Sequence, residues 1–315
     1  MSEVDKSGNW ERDILEKVAL AAVKELRLAR RWRIFFKLLG FGFLFTVLFI
    51  IMGWPGNSNM DMSSKHTALV ELKGTISADE VSADQIINGL QEAFKDKDTV
   101  GVILRINSPG GSPVQAGQIY DEMKRLRLKY PQIPLYVVVD DICASGGYYV
   151  ASAADRIYVD KASLVGSIGV LMDGFGFTGT MDKLGVERRL LTAGANKGFL
   201  DPFSPANPEQ EAYARQMLEE IHQQFIAAVR AGRGNRLKET PDMFSGLVWS
   251  GAKSIQLGLA DGFGSAEYVA RDVIHAEKIV DFTPQQGFAD RFAKHFGVAV
   301  GKNINPLAFM GMKLQ

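Results

Sequence analysis

Cysteine is almost absent: Cys143 is the only one in 315 residues. No intrachain disulfide and no multi-cysteine metal site can form. Histidine is scarce too. His66, His222, His275 and His295 are scattered, with no H-x-x-x-H pair, which argues against zinc hydrolase chemistry. Net charge is missing as well. The 36 basic residues balance 36 acidic ones, so nothing indicates a general attraction to nucleic acid. No period of about 20–50 residues repeats. The G-x-G-x-x-G spacing of residues 174–179 has no strand leading straight in and no clear helix after it, so dinucleotide binding is not indicated. No metal or cofactor is called for.

What is present begins with a long apolar run. Residues 34–54 read IFFKLLGFGFLFTVLFIIMGW, with Lys37 as the only charge. At ~1.5 Å per residue a helix of this length crosses the ~30 Å hydrocarbon core of a bilayer. The W-P-G-N-S-N-M that ends the run and follows it lacks the A-x-A pattern of a signal-peptide cleavage site, so a retained anchor is expected. Arg27, Arg30, Arg31, Arg33 and Lys37 precede or open the run, while Asp61 and Lys65 are the first charges after it. The positive-inside rule then places residues 1–33 in the cytoplasm and 55–315 outside it. Upstream, Trp10, Ile14, Val18 and Ala22 recur at helical spacing. They suit a helix on the membrane surface, one paired with a partner, or a solvated one. Residues 55–66 are polar and Gly/Ser/Asn-rich and read as a linker. Residues 67–281 read as one domain and 282–315 as a C-terminal extension, in which Phe288, Phe292 and Phe296 form a small apolar edge.

Within the domain, strands alternate with helices. Strands are expected over 68–72, 100–106, 135–139 and 156–159, and a further short one over 188–192. Helices are expected over 77–95, 114–129, 148–154, 181–185, 209–230, 254–259 and 267–276. On 209–230 the apolar side is Ala212, Met217, Ile221, Phe225 and Val229. This alternation predicts an α/β fold with a parallel sheet and flanking helices.

Two glycine-rich turns follow parallel strands. One is S-P-G-G-S at 108–112, the other A-S-G-G at 144–147. Sites in open parallel sheets form beyond the carboxyl ends of strands. Ser145, between a strand end and a helix start, suits a nucleophile, although the same spacing also suits a plain serine N-cap. Backbone N–H groups of Gly146 and of Gly110 or Gly111 can converge as a two-donor oxyanion hole.

The combination N-S-P-G-G-S, then D-x-x-A-S-G-G-Y-Y-V-A-S-A-A-D, then V-G-S-I-G-V resembles the signal peptide peptidase A family. These are membrane-anchored bacterial serine peptidases related in fold to the Clp protease and the crotonases. The resemblance covers roughly residues 67–281 and implies the following. Ser145 is the nucleophile. The general base is a lysine in the A-G-A-N-K-G segment, Lys197. Single-copy members assemble into homo-oligomeric rings whose sites take serine and lysine from neighbouring subunits.

An unperturbed lysine is protonated at neutral pH, and burial lowers its pKa enough to let it act as a base. Lys197 has no acid between Glu187 and Asp201 to hold it charged, whereas the rivals Lys161 and Lys183 each follow an aspartate. The segment Val165, Gly166, Ser167, Ile168 and Gly169 is expected to line a groove in which an extended peptide pairs. Ser167 is also placed to orient Lys197. Cys143 reads as a buried packing residue. The expected reaction is hydrolysis of apolar peptides, such as cleaved signal peptides, through an acyl-enzyme. The expected location is the inner membrane of a bacterium, with the domain on its outer side. Two other readings stay open: a crotonase-like acyl-CoA enzyme, and a non-catalytic membrane scaffold on the same fold.

Overall fold

The computed structural model describes residues 4–51 and 64–284. The N-terminal helix α1 (Val4–Ile51) runs without a break from the upstream segment into the apolar run. Its side chains at Ile34, Phe35, Phe36, Phe41, Phe43 and Phe45 are exposed. The expected span of 34–54 is covered only in part by the described residues, and among these no helix is long and apolar enough to cross a membrane. Phe288, Phe292 and Phe296 lie outside the described residues.

Met62–Gln285 forms a separate compact unit. In chain order it contains β1 (His66–Lys73), α2 (Ala83–Lys95), β2 (Thr99–Ser108), α3 (Pro113–Lys129), β3 (Leu135–Ala144) and α4 (Gly146–Ala151). There follow β4 (Arg156–Val159), β5 (Leu164–Gly166), α5 (Thr178–Leu184) and α6 (Pro208–Arg233). The last elements are β6 (Val248–Ser250), α7 (Gly251–Gln256), β7 (Gly262–Phe263), α8 (Ala266–Tyr268) and β8 (Ile279–Asp281). The strands make one eight-stranded sheet in the order β6-β5-β3-β2-β1-β8, with β4 on β3 and β7 on β4. Every pairing is parallel except β5 with β6.

The strands read as near-continuous apolar runs because the sheet is covered on both faces. Val70, Leu72, Leu104, Ile106 and Val137 belong to the larger core, shared with α2, α3 and α4. Leu69, Ile103, Val138 and Tyr158 belong to a smaller one, with Ala266, Val269 and Ala270. Alternation along each strand sends neighbours to opposite faces.

β3 forks the sheet. Tyr136, Val137 and Val138 pair with β4, while Ile142, Cys143 and Ala144 pair with β5. The register with β2 slips between these halves: Ile106 faces Val139, yet Ser108 faces Cys143. The extra residues are polar and tied from β2. Arg105 Nε donates to both Asp140 carboxylate oxygens at 2.9 Å, and Asn107 Nδ2 donates to Asp141 at 2.9 Å. The Asp140 hydrogen bond also raises the Arg105 pKa. These adjacent acids thus occupy the register slip just before β3 ends at Ala144.

Several sequence expectations shift. The helix expected from 77 begins at Ala83, because Ser82 and Gln85 form the capping box. Ser77 instead caps a separate bend by accepting the Glu80 N–H. β1 starts at His66, a buried residue rather than linker. No strand forms at 188–192, where Leu191 is 96% exposed and no sheet edge pairs with it. On α6 the buried residues are Ala214 and, in the C-terminal half, Phe225, Ile226, Ala228, Val229 and Arg233; Ala212 is exposed. The segment expected as one helix over 267–276 is a short α8 continued by a π-helical turn, Val269–Ile274.

α6 is locked at its end by Arg233. Its guanidinium, buried, donates to Asp261 at 2.8 and 2.9 Å and to the Gly258 carbonyl at 2.8 Å. Asp261 also accepts the Ile157 N–H at 2.7 Å, which joins α6 to β4.

Candidate active site

Ser145 stands between the end of β3 and the start of α4. Its backbone sits at φ 51, ψ −124, a region that glycine favours. The strain is held from both sides. Its N–H donates to the Gly166 carbonyl at 2.9 Å, and its own carbonyl accepts the Tyr149 N–H at 2.9 Å. The side chain makes no capping hydrogen bond to α4. The plain N-cap role is therefore not what this serine does, and its Oγ stays available to the cleft.

The Gly110–Gly111 turn is pressed against Ser145. Both glycines have positive φ, at 107 and 143. A Cβ on Gly110 would stand 2.7 Å from the Ser145 Cβ, and one on Gly146 would stand 3.3 Å from the Gly111 nitrogen. The Gly110 N–H is already taken by Ser108 Oγ at 3.1 Å. Gly111 pairs in parallel with Ile76 through its neighbours: Ile76 N–H donates to Gly110 O, and Ser112 N–H to Ile76 O. That pattern leaves the Gly111 N–H facing away from Ile76. Gly146 opens α4, so its N–H has no partner within the helix. Of the two glycines left open by sequence, Gly111 is the one whose N–H is free beside Gly146.

A cleft of about 530 Å³ opens over these groups. Ser145, Gly111, Gly146 and Ser167 lie at it, and Tyr149, Val170, Leu171, Ile221 and Phe225 supply apolar surface. Of the expected groove segment, Ser167 and Gly169 reach the cleft. Val165 and Ile168 point into the core, both fully buried, and Gly166 carries the carbonyl that holds Ser145. Ser167 has φ 52 and donates its N–H to Leu247 O at 2.7 Å. Sequence reasoning missed Tyr149, Ile221, Phe225, Ser245 and Gly246. Of these, Ile221 and Phe225 fall on the apolar side of a helix in the sequence pattern, which does not separate cleft from core.

Among the described residues no lysine or histidine lines this cleft. Lys197 is exposed, on a turn in which its N–H donates to Gly194 O at 3.1 Å. Lys161 and Lys183 are exposed as well. Within one chain the structure does not bring Ser145 and Lys197 together in the cleft. Cys143 is fully buried in the core, and burial pushes its thiol pKa up. It is no rival nucleophile. Among the described residues no His/Cys/Asp/Glu group could hold a metal ion.

Comparison with known proteins gives this geometry a family. Residues 127–280 match Peptidase family S49, and the match includes Ser145, Ser167 and Lys197. Residues 127–280 belong to peptidase family S49. The Gly110–Gly111 turn lies just before the matched S49 segment. The chain is similar, at 42% identity over 213 residues, to a Brucella abortus protein named Na(+)/H(+) antiporter NhaA, covering 67% of this chain and 29% of that one. It is 34% identical over 205 residues to Protease 4 of Haemophilus influenzae, covering 63% and 32%. It is 28% identical over 200 residues to the chloroplastic serine protease SPPA of Arabidopsis thaliana, covering 62% and 29%. The chain thus spans about a third of the length of these relatives.

Proposed function

We propose that this chain is a membrane-anchored serine endopeptidase that hydrolyses apolar peptides, cleaved signal peptides among them, by a Ser145/Lys197 dyad. The observation that carries the reading is Ser145 itself. It is held in a strained backbone, without a capping role, beside the free N–H groups of Gly111 and Gly146 at one cleft. A preorganised donor pair of this kind contributes ~10²–10³ in rate per donor.

The base comes from a neighbouring copy. Two observations support this. The cleft contains no lysine or histidine among the described residues, and Lys197 stands on an exposed segment that also exposes Leu171, Phe175, Leu184, Val186 and Leu191. Such apolar surface suits burial against another copy of the chain, in a closed ring. There Lys197, deprived of water, becomes neutral. It takes the Ser145 hydroxyl proton as Oγ attacks the peptide carbonyl. The oxyanion rests on the Gly111 and Gly146 N–H groups. The lysine proton passes to the leaving amine as the C–N bond breaks, leaving an acyl-enzyme. Lysine then takes a proton from water as its oxygen attacks the ester carbonyl, and gives that proton to Ser145 Oγ as the ester C–O bond breaks and the carboxylate product leaves. No metal or cofactor takes part.

The apolar lining of the cleft supports apolar substrates, and the exposed apolar side chains of α1 with the basic residues before them support anchoring at a bacterial inner membrane, the domain outside the cytoplasm. The test mixes two full-length variants in detergent, Ser145→Ala and Lys197→Ala, on an unstructured protein substrate. Each alone is expected to be inactive, and the co-assembled mixture to regain part of the activity. Full activity in Lys197→Ala removes Lys197 from the reaction. An active Ser145→Ala removes the peptidase reading altogether.

A second reading concerns the partner. A Brucella protein named as a Na+/H+ antiporter contains a stretch 42% identical to this chain. That name on a protein containing such a stretch supports a working association between this chain and a Na+/H+ antiporter in the same membrane. Cross-linking of the full-length chain co-expressed with an antiporter tests it, and recovery of the chain alone removes it.

A further inference from the structure

One wall of the cleft is the backbone segment 167–171, which has no regular secondary structure after β5 ends at Gly166. Ser167, Gly169, Val170 and Leu171 reach the cavity from it. The segment begins under strain, with Ser167 at φ 52, and such a conformation persists only where neighbours hold it. Two hydrogen bonds from distant elements do so. Ser167 N–H donates to Leu247 O at 2.7 Å, and Ile168 O lies 3.1 Å from His222 Nε2 on α6. A carbonyl only accepts, so Nε2 carries the proton.

We propose that His222 is a positioning residue that holds this wall in the place where an extended peptide pairs with it. The inference rests on the peptidase reading of the cleft. His222 stands one turn before the buried Phe225, and the next residues, Ile226, Ala228 and Val229, pack into the core. The imidazole is half-buried, so its hydrogen bond transmits the rigidity of α6 to the wall. The Ile168 side chain is fully buried, which anchors this point of the wall in the core, while the His222 hydrogen bond holds its carbonyl. Ser145 and Gly146 share one turn, held by the Tyr149 N–H and by the carbonyl of Gly166, which lies within β5 ahead of the wall, and Gly111 sits on a second turn braced against Ile76. Loss of the His222 hydrogen bond therefore loosens substrate binding and spares the chemical step.

The test uses the full-length chain in detergent as parent, His222→Ala and His222→Gln. A glutamine amide also donates and takes the place of the imidazole. With an apolar peptide substrate, His222→Ala is expected to raise KM about fivefold, the worth of one net hydrogen bond, with kcat within about twofold. His222→Gln is expected to return KM to within about twofold of the parent. Amide hydrogen exchange gives a second readout that needs no turnover. Residues 167–171 are expected to exchange about tenfold faster in His222→Ala and at the parent rate in His222→Gln. Unchanged KM and unchanged exchange overturn the proposal. So does a fall in kcat with KM unchanged. A parent that cleaves nothing sinks the peptidase reading, and the exchange measurement alone then decides whether His222 holds the wall.

Discussion

Gly110 and Ser145 meet so closely that a side chain on the first would collide with the second: a Cβ on Gly110 would stand 2.7 Å from the Ser145 Cβ. The same Cβ would press on backbone atoms that cannot give way, the Gly146 nitrogen at 2.7 Å and the Ala144 carbonyl at 2.8 Å. Gly110→Ala is therefore expected to lower activity by more than about 10², with a loss of thermal stability, because the turn proposed to hold the oxyanion must move. Gly117→Ala is the control. Gly117 lies within α3 with nothing inside 4 Å of its would-be Cβ, so that change is expected to raise stability by up to about 1 kcal/mol. Peptide hydrolysis and thermal unfolding of the two variants check both.

Ser145 itself costs stability. Its φ of 51 with ψ −124 suits glycine. Ser145→Gly is expected to raise the melting temperature by a few degrees, the shift that about 1 kcal/mol produces in a domain this size. Ser145→Ala keeps the Cβ and is expected to leave it unchanged. Both abolish activity under the proposed mechanism. Equal melting temperatures for the glycine and alanine variants would contradict the strain.

Thiol and serine reagents should separate cleanly. Cys143 is fully buried and burial holds its thiol protonated. N-ethylmaleimide is expected to leave native enzyme unmodified and active, and to react only after unfolding. A fluorophosphonate is expected to label Ser145 in the parent and nothing in Ser145→Ala, as read by mass spectrometry.

The Arg233–Asp261 pair makes stability depend on acid. Burial alone would raise the Asp261 pKa, but the Arg233 hydrogen bonds and charge, the Ile157 N–H and Arg236 more than offset it and lower the value. A carboxylate lowered on folding contributes stability above its unfolded pKa of about 3.9, and that contribution is lost as pH falls through the folded value. Arg233→Met breaks a buried pair from one side and is expected to cost about 3–5 kcal/mol at pH 7. The difference from the parent should shrink at acid pH, below the unfolded value of about 3.9, as Asp261 takes up a proton. Denaturant titrations at the two pH values measure it.

Much of this protein was legible from neighbours in the chain. The strand cores of β1 to β4 and the two glycine turns follow from patterns a few residues long, because apolar period and turn chemistry act locally. The false strand at 188–192 shows the limit of that signal. An apolar pair there has strand-like character but no edge to pair with, and a strand needs its partner's hydrogen bonds. The helix expected from 77 shows another. Two serines each stood three residues before an acid or amide, and packing chose the second.

The sequence by itself determined that a serine with open glycine flanks would end a buried parallel strand. Tertiary structure alone decided that Gly111 and not Gly110 has its N–H free, since Ser108 Oγ and Ile76 divide the turn's hydrogen bonds. It also decided that β3 forks at Asp140 and Asp141, and that Ile221, Phe225 and Ser245 share a cleft with Ser145. The physical reason is the same in each case. A turn's chemistry is set by covalent neighbours, whereas the direction of an N–H and the lining of a cleft are set by groups far apart in the chain that meet only when the sheet and α6 pack.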